Sequence, residues 1–352
     1  MTAFKAFLRR KNIEISVKRY LIDALGAMAQ GLFASLLIGT ILNTLGTQLN
    51  LSALTDIGSY ASQMSGPAMA VAIGYALQAP PLVLFSLVTV GFAANALGGA
   101  GGPLAVLIIA IVAAEFGKAV SKETKVDILV TPLVTIFIGV GPSALIAPAL
   151  GAAASSLGNV IMWATELQPF LMGIVVSVLV GIALTLPISS AAICAALGLT
   201  GLAGGAAVAG CCAQMVGFAV MSFKENRWGG LVSQGIGTSM LQMGNIVKNP
   251  RIWLPPIITS AITGPLATCL FKMRMDGTAV SSGMGTCGFV GPIGVYTGWV
   301  NDIAAGTKAA ITPMDWIAML LICFVLPAII TWILGEAFRK AGWIRENDLK
   351  LN

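Results

Sequence analysis

The chain has 352 residues, of which 57% are apolar and only 10% carry a charge. Because a soluble domain is about 25% charged, this composition excludes an ordinary soluble protein, and the apolar content excludes a disordered or collagen-like chain despite 41 glycines. The net charge is +6, but no basic surface interleaved with aromatic residues accompanies it, so we expect no nucleic-acid partner. The long apolar runs predict an all-α, polytopic helical bundle in a membrane.

The first 19 residues are basic and amphipathic. Six basic residues face a single acidic one, Glu14: Lys5, Arg9, Arg10, Lys11, Lys18 and Arg19. Aromatic and aliphatic residues alternate with them, so we predict that residues 1–19 form a short helix on the cytoplasmic leaflet, where anionic lipids attract the basic side chains. The alternative is a solvated basic segment. The apolar stretch that follows is too long for a signal peptide, and we interpret it as a retained first span.

The sequence predicts that residues 20–338 form a single transmembrane domain of about ten spans. The spans fall at about 21–45, 57–78, 81–97, 103–120, 128–150, 169–187, 189–222, 230–247, 254–273 and 314–337. Basic residues dominate the breaks at 118–127 and 224–228 and the tail at 339–352, so the positive-inside rule places these segments and both termini in the cytoplasm. Because the breaks at 118–127 and 224–228 are both placed in the cytoplasm, the stretch between them, 128–222, must cross the membrane an even number of times. We meet this condition by interpreting 189–222 as two short or re-entrant segments.

Three apolar stretches are too rich in glycine for a continuous helix. They are NALGGAGGP at 95–103, GLAGGAAVAG at 201–210 and DGTAVSSGMGTCGFVGPIG at 276–294. Broken backbone survives at membrane depth only inside protein or beside a watery cavity, so these stretches indicate a transport site with hinges for its opening. The alternative is close packing of continuous helices through small residues.

Polar residues inside apolar spans are candidates for contacts with a solute. The sequence SQGIGTSMLQMGN places Gln234, Ser239, Gln242 and Asn245 largely on one face if it is helical, and amides and hydroxyls suit a neutral polyhydroxylated ligand. Hydrogen bonding between helices is the alternative. The full set of predicted substrate-binding residues is Gln234, Ser239, Gln242, Asn245, Ser281, Ser282, Thr286 and Asn95. The segment SSGMGTC at 281–287 suits a small anion equally well, through its backbone N–H groups.

The residue types that are missing restrict the chemistry. Histidine is absent, which removes histidine general-base catalysis, metal ligation and phosphorylation on this chain. The carboxylates are scattered, so we expect no metal or other cofactor and no catalytic group, although an enzymatic role stays open. Glu115 and Lys118 lie three residues apart and predict an ion pair at the membrane interface.

Two blocks of sequence resemble a known family. NPRIWLPPIITSAITGPLATCLFKM at 249–273 and GTAVSSGMGTCGFVGPIG at 277–294 resemble phosphotransferase-system enzyme IIC-like permeases, a group that includes membrane regulators of toxin expression. KRYLIDALGAMAQGLFASLLIGTI at 18–41 is similar to the same family, so the resemblance extends over nearly the whole chain.

The resemblance implies a homodimeric permease of the bacterial inner membrane that moves a sugar by alternating access. A separate soluble IIB protein would phosphorylate the sugar. Better-studied enzyme IIC proteins use a histidine and a glutamate near the sugar, and this chain departs from them because it has no histidine. Two alternatives therefore stay open: a transporter or channel for a small anion or another solute, and a membrane-embedded regulator. The sequence leaves the substrate, the coupling to phosphorylation and the direction of transport open.

Overall fold

The computed structural model describes residues 3–351. Within that range the regular structure is helical, apart from an isolated antiparallel bridge between Gly201 and Met275, which confirms the predicted all-α fold. Contacts divide the chain into two compact units, Met1–Ala153 and Ala154–Asn352. The predicted domain boundaries at residues 19 and 338 stay predictions.

The first unit contains seven complete helices and the start of an eighth. They are α1 Ala3–Arg10, α2 Ala24–Leu32, α3 Ile38–Leu49, α4 Ser52–Gln63, α5 Ser65–Ala76, α6 Pro81–Gly98, α7 Gly102–Val120 and α8 Asp127–Thr165. π-Helical turns at Lys18–Asp23 and Phe33–Leu37 continue into α2 and α3, and a 3₁₀ turn at Gly99–Gly101 joins α6 to α7. The glycine-rich stretch at 95–103 is thus a tight turn between two helices. Gly101 lies against the backbone of Leu150 there, so close packing explains this stretch.

The N-terminal segment is fastened to the loop between α7 and α8. Glu123 forms ion pairs with Arg10 (2.8 Å) and Lys11 (2.5 Å), and the hydrogen bond from Lys11 lowers the pKa of the Glu123 carboxyl. The predicted ion pair between Lys118 and Glu115 is confirmed at 2.9 Å. The two segments that we expect in the cytoplasm therefore lie at the same end of this unit.

The second unit contains the remainder of α8 and ten further helices. They are α9 Pro169–Thr185, α10 Ser190–Ala196, α11 Gly201–Met221, α12 Phe223–Val232, α13 Met243–Lys248, α14 Leu254–Pro265, α15 Ala279–Ser282, α16 Val290–Ala304, α17 Pro313–Leu320 and α18 Leu326–Lys340. Short π or 3₁₀ turns occur at Ser233–Gly237, Ser239–Gln242, Pro250–Trp253, Leu266–Leu270, Cys287–Phe289 and Leu321–Val325. The predicted division of 189–222 into two segments is confirmed by α10 and α11.

Helices α9, α11 and α14 pack closely at the centre of the second unit. A side chain at Gly210 would clash with the carbonyl of Ser177, so α9 and α11 approach each other through this glycine. The Ser177 hydroxyl donates to the Ser260 carbonyl on α14 (2.8 Å). Of the two interpretations of 201–210, the structure bears out close packing through small residues, because these glycines lie in the continuous helix α11.

Two segments of the second unit are interrupted. The predicted helical span at 230–247 is wrong: the chain leaves the helical conformation at Thr238 (φ −158°, ψ 143°) and is broken into several short turns. The predicted interruption at 276–294 is confirmed, since Gly285, Gly288 and Phe289 have positive φ angles of 52°, 51° and 59°. Both segments carry predicted site residues.

Within residues 3–351, six helical runs are long and apolar enough to cross a membrane. They are Lys18–Leu49, Pro81–Val120, Asp127–Thr165, Gly201–Met221, Pro250–Leu270 and Pro313–Lys340. Together with the shorter helix α9 they account for all of the predicted spans except 57–78, which is divided at Met64, and 230–247. This pattern is that of a polytopic membrane protein.

Candidate functional site

Two clusters of neutral polar side chains are buried in the second unit. The first, which we name the amide chain, consists of Ser222, Gln234, Gln242 and Asn245. The second, which we name the inner cluster, consists of Thr185, Gln214, Ser239 and Trp253. All of these side chains except Trp253 are buried. The interrupted segment at 230–247 contributes Gln234, Gln242 and Asn245 to the amide chain and Ser239 to the inner cluster.

The amide chain is a directional series of hydrogen bonds. Asn245 Nδ2 donates to Gln242 Oε1 (2.8 Å), and Gln242 Nε2 donates to Gln234 Oε1 (2.9 Å). Gln234 Nε2 then donates to Ser222 Oγ (2.8 Å) and to the Gly230 carbonyl (2.9 Å). The turns of the broken segment bring together three amides that we expected on one helical face. Each amide thereby fixes the orientation of the next.

The remaining N–H groups of Gln242 and Asn245 donate hydrogen bonds to the C-terminal tail. Gln242 Nε2 donates to the Leu349 carbonyl and Asn245 Nδ2 donates to the Lys350 carbonyl, each at 2.9 Å. Asn226 Nδ2 also donates to the Leu349 carbonyl (2.7 Å), and the Leu349 side chain is 0% exposed. In this conformation the tail therefore occupies donors that we had assigned to a solute.

Three further hydrogen bonds, made by the side-chain amides of Asn226 and Asn249, hold the tail. The Leu351 N–H donates to Asn226 Oδ1 (2.8 Å), and Asn249 Nδ2 donates to Asp348 Oδ2 (2.7 Å) and to the Trp343 carbonyl (2.9 Å). The amides on residues 226–249 thus recognise mainly backbone groups of residues 343–351. The tail is an integral part of the second unit.

The inner cluster lies between α9, α11 and the interrupted segment. Thr185 Oγ1 and Ser239 Oγ are 2.8 Å apart and share a hydrogen bond, and Thr185 Oγ1 also donates to Gln214 Oε1 (3.3 Å). The indole N–H of Trp253 donates to the same Gln214 oxygen (2.9 Å). The cluster can donate and accept hydrogen bonds without bringing a charge into the apolar interior.

The remaining predicted residues lie elsewhere. Ser281 Oγ shares a hydrogen bond with Thr278 Oγ1 (3.0 Å), and Ser282 Oγ donates to the Leu199 carbonyl (2.6 Å). The hydroxyl of Thr286 donates to Met215 Sδ (3.6 Å), and Met215 follows Gln214 in the chain. Asn95 belongs to the first unit, where its Nδ2 donates to Ser65 Oγ (3.4 Å).

A cleft of about 510 Å³ opens at the other end of the second unit. It is lined by Gln168, Thr268, Lys272 and Arg274, among others. Arg274 forms an ion pair with Asp276 (2.7 Å), and the hydrogen bond to Asp276 raises the pKa of the guanidinium. Part of the positive charge beside this cleft is therefore already neutralised.

Sequence reasoning missed several members of the two clusters. Gln214 is recognisable as a polar residue in an apolar stretch, but its neighbours Thr185 and Trp253 carry no signal, because they are joined to it only by folding. Asn226 and Ser222 lie beside a charged break and read as surface residues. Nothing in the sequence indicates that the tail lies on the amides.

The comparison with protein families accords with this architecture. The family model for the phosphotransferase system, EIIC, matches residues 22–351, and the match includes both polar clusters. No curated protein and no solved structure matches the chain. The chain therefore belongs to the phosphotransferase-system EIIC family, and it is a multi-pass membrane permease component of that system.

Proposed function

We propose that this protein moves a sugar across the bacterial inner membrane by alternating access and works with a separate soluble IIB protein that phosphorylates the sugar. The observation that carries the proposal is the burial of two neutral polar clusters within an apolar unit, with interrupted backbone contributing to both. Buried polar groups in a membrane are costly and usually functional. Amides and hydroxyls are the groups that recognise a neutral polyhydroxylated molecule.

The proposed solute contacts are the residues that the sequence predicts, with their present partners exchanged for the solute. Ser239 belongs to the inner cluster and Thr286 hydrogen-bonds the sulfur of Met215, whereas Gln242 and Asn245 become available once the tail leaves them. Gln234, Ser281 and Ser282 would take part as the segments move, and the contact predicted for Asn95, in the first unit, stays a prediction. We also propose that both termini face the cytoplasm and that the permease is a homodimer, as the family resemblance implies.

A binding and uptake experiment tests this function. Purified protein is heated in the presence of hexoses, hexitols, N-acetylhexosamines and small organic acids, because a ligand at 100 times its Kd stabilises the protein by about 2.7 kcal/mol. Uptake of the best ligand is then measured in sealed vesicles with and without phosphoenolpyruvate and the soluble phosphotransferase proteins. We expect a sugar to bind and its accumulation to require the phosphoryl donor.

One variant and one matched control locate the site. Ser239→Ala removes a hydroxyl of the inner cluster and should weaken sugar binding about tenfold, the effect of one hydrogen bond. Ser177→Ala removes an equally buried hydroxyl that serves helix packing, so it should leave affinity unchanged. Stabilisation by an organic acid alone, or accumulation that needs no phosphoryl donor, would contradict the proposed function.

A further inference from the structure

We infer that the side-chain amide of Gln214 is a recognition group of the solute site and donates a hydrogen bond from Nε2 to an oxygen of the solute. This inference rests on the proposed function. Gln214 is not among the substrate-binding residues that the sequence predicts. The inference makes it a hydrogen-bond donor to the solute within the inner cluster.

The amide nitrogen of Gln214 has no hydrogen-bond partner among the described residues, although the side chain is 0% exposed. Its oxygen, by contrast, accepts hydrogen bonds from Trp253 Nε1 (2.9 Å) and Thr185 Oγ1 (3.3 Å). An indole N–H can only donate, so it fixes the amide with its oxygen towards Trp253. Rotating the amide would place two donors against each other, and the free donor is therefore a property of the site.

An unpaired buried donor is unfavourable, and nothing in helix packing requires it. Leaving a buried N–H without an acceptor costs its full desolvation penalty, and a bilayer supplies no water to offset it. Methionine would fill a similar volume on α11 without that penalty. An oxygen of a bound solute removes the penalty, because it supplies the missing acceptor.

The neighbouring groups define the chemistry of this solute. Thr185 and Ser239 present a pair of hydroxyls next to the Gln214 amide, with Thr185 Oγ1 3.3 Å from the amide oxygen. A hydroxyl both donates and accepts. A sugar hydroxyl could accept from Gln214 Nε2 and donate to this pair. No charged side chain forms a hydrogen bond with the cluster in the described part of the chain, which favours a neutral solute.

The interrupted segment supplies a wall of the site that can move. Ser239 follows Thr238, whose extended backbone separates a π-helical turn from a 3₁₀ turn. Gln214 and Thr185, in contrast, lie on the continuous helices α11 and α9. A displacement of the turn at Ser239–Gln242 would uncover the amide while its orientation is kept, because Trp253 lies outside this turn, in the helical run Pro250–Leu270, and still donates to the Gln214 oxygen.

The test combines Gln214 variants with altered sugars. The sugar that best stabilises the wild type in the panel above is titrated by calorimetry, together with its monodeoxy analogues. Gln214→Met removes the amide and keeps a side chain of similar volume, and Gln214→Leu removes it with a shorter side chain; neither adds a charge or a hydrogen-bond donor. We expect about tenfold weaker binding of the intact sugar in both variants.

The analogues identify the hydroxyl that Gln214 binds. In the wild type, the analogue that lacks this hydroxyl should bind about tenfold more weakly than the intact sugar. In the Gln214 variants, the intact sugar and that same analogue should bind equally, because the hydrogen bond between the hydroxyl and Gln214 is already lost. The other monodeoxy analogues should keep their penalties in the variants, which controls for general damage. If neither variant folds, Trp253→Phe serves instead, because it frees the amide to rotate and should weaken binding by less than tenfold.

The outcomes separate the inference from the proposed function. If the wild type binds a sugar and the variants bind it and every analogue as the wild type does, Gln214 is structural and the inference is wrong, although the proposed function stands. Unchanged binding in Trp253→Phe leads to the same conclusion. If the wild type binds no sugar of the panel, the proposed function fails and the inference fails with it.

Discussion

Asn226 holds the C-terminal tail through two hydrogen bonds, so its replacement by alanine should loosen the tail. The side chain donates to the Leu349 carbonyl (2.7 Å) and accepts from the Leu351 N–H (2.8 Å). Each neutral hydrogen bond contributes a net stability of about 0.5–1.5 kcal/mol, so losing both costs about 1–3 kcal/mol. Because Leu349 keeps its hydrogen bond from Gln242, we expect the lower half of this range, and thus about a tenfold larger open population of the tail.

Hydrogen–deuterium exchange measures this opening directly. The exchange rate of a protected amide follows the free energy of local opening, and the Leu351 N–H is protected by Asn226. In Asn226→Ala, the peptide that covers the tail should exchange about tenfold faster than in the wild type, while peptides from α9 keep their rates.

A matched substitution provides the control. Asn301 is exposed on α16, so Asn301→Ala should leave exchange of the tail unchanged. Tail exchange in Asn226→Ala that stays within about twofold of the wild type would refute the reasoning, since 1 kcal/mol already corresponds to about fivefold. The docking of the tail on residues 226–249 would then be wrong.

Two further predictions concern packing and the N-terminal segment. Gly210→Ala places a methyl group against the Ser177 carbonyl and should lower the free energy of unfolding by about 1–3 kcal/mol. In the control Gly229→Ala, no atom lies near the added methyl group, so the free energy of unfolding should change by less than about 1 kcal/mol. Equal melting temperatures of the two variants would contradict the close approach of α9 and α11. The lowered pKa of Glu123 means that its contacts stabilise the N-terminal segment above the ordinary carboxyl pKa and are lost as the pH falls through the lowered value. Glu123→Gln should therefore speed tryptic cleavage after Arg10 at pH 7, and unchanged cleavage would count against this attachment.

The hydrophobic runs predicted the fold class because burial in lipid leaves a strong signal in the chain. The ion pair between Glu115 and Lys118 was also predictable, since helical spacing alone brings the two side chains together. Glycine density was ambiguous. It marks interrupted backbone in 276–294 but close helix contact in 201–210, and only the carbonyl of Ser177 on another helix decides the second case.

The candidate site was predictable in composition and not in arrangement. Sequence spacing places Gln234, Gln242 and Asn245 on one side of an imagined helix, and the structure does bring these amides together, through turns that the spacing does not reveal. Gln242 and Asn245 also bind the carbonyls of Leu349 and Lys350, which lie about a hundred residues away in the chain. Gln214 is visible as a polar residue, but its unpaired nitrogen becomes evident only once Trp253 is seen to occupy the oxygen.

The docked tail has a consequence for biosynthesis. Asn226 and Leu349 are 123 positions apart, so at about 5–20 residues per second the ribosome needs roughly 6–25 s to deliver the carbonyl that the asparagine binds. During that interval Asn226, Gln242, Asn245 and Asn249 lack the acceptors that the tail supplies, and these N–H groups must be hydrated or shielded. Insertion of this segment into its final position therefore has to wait until translation has reached the tail, long after the preceding helices have entered the membrane.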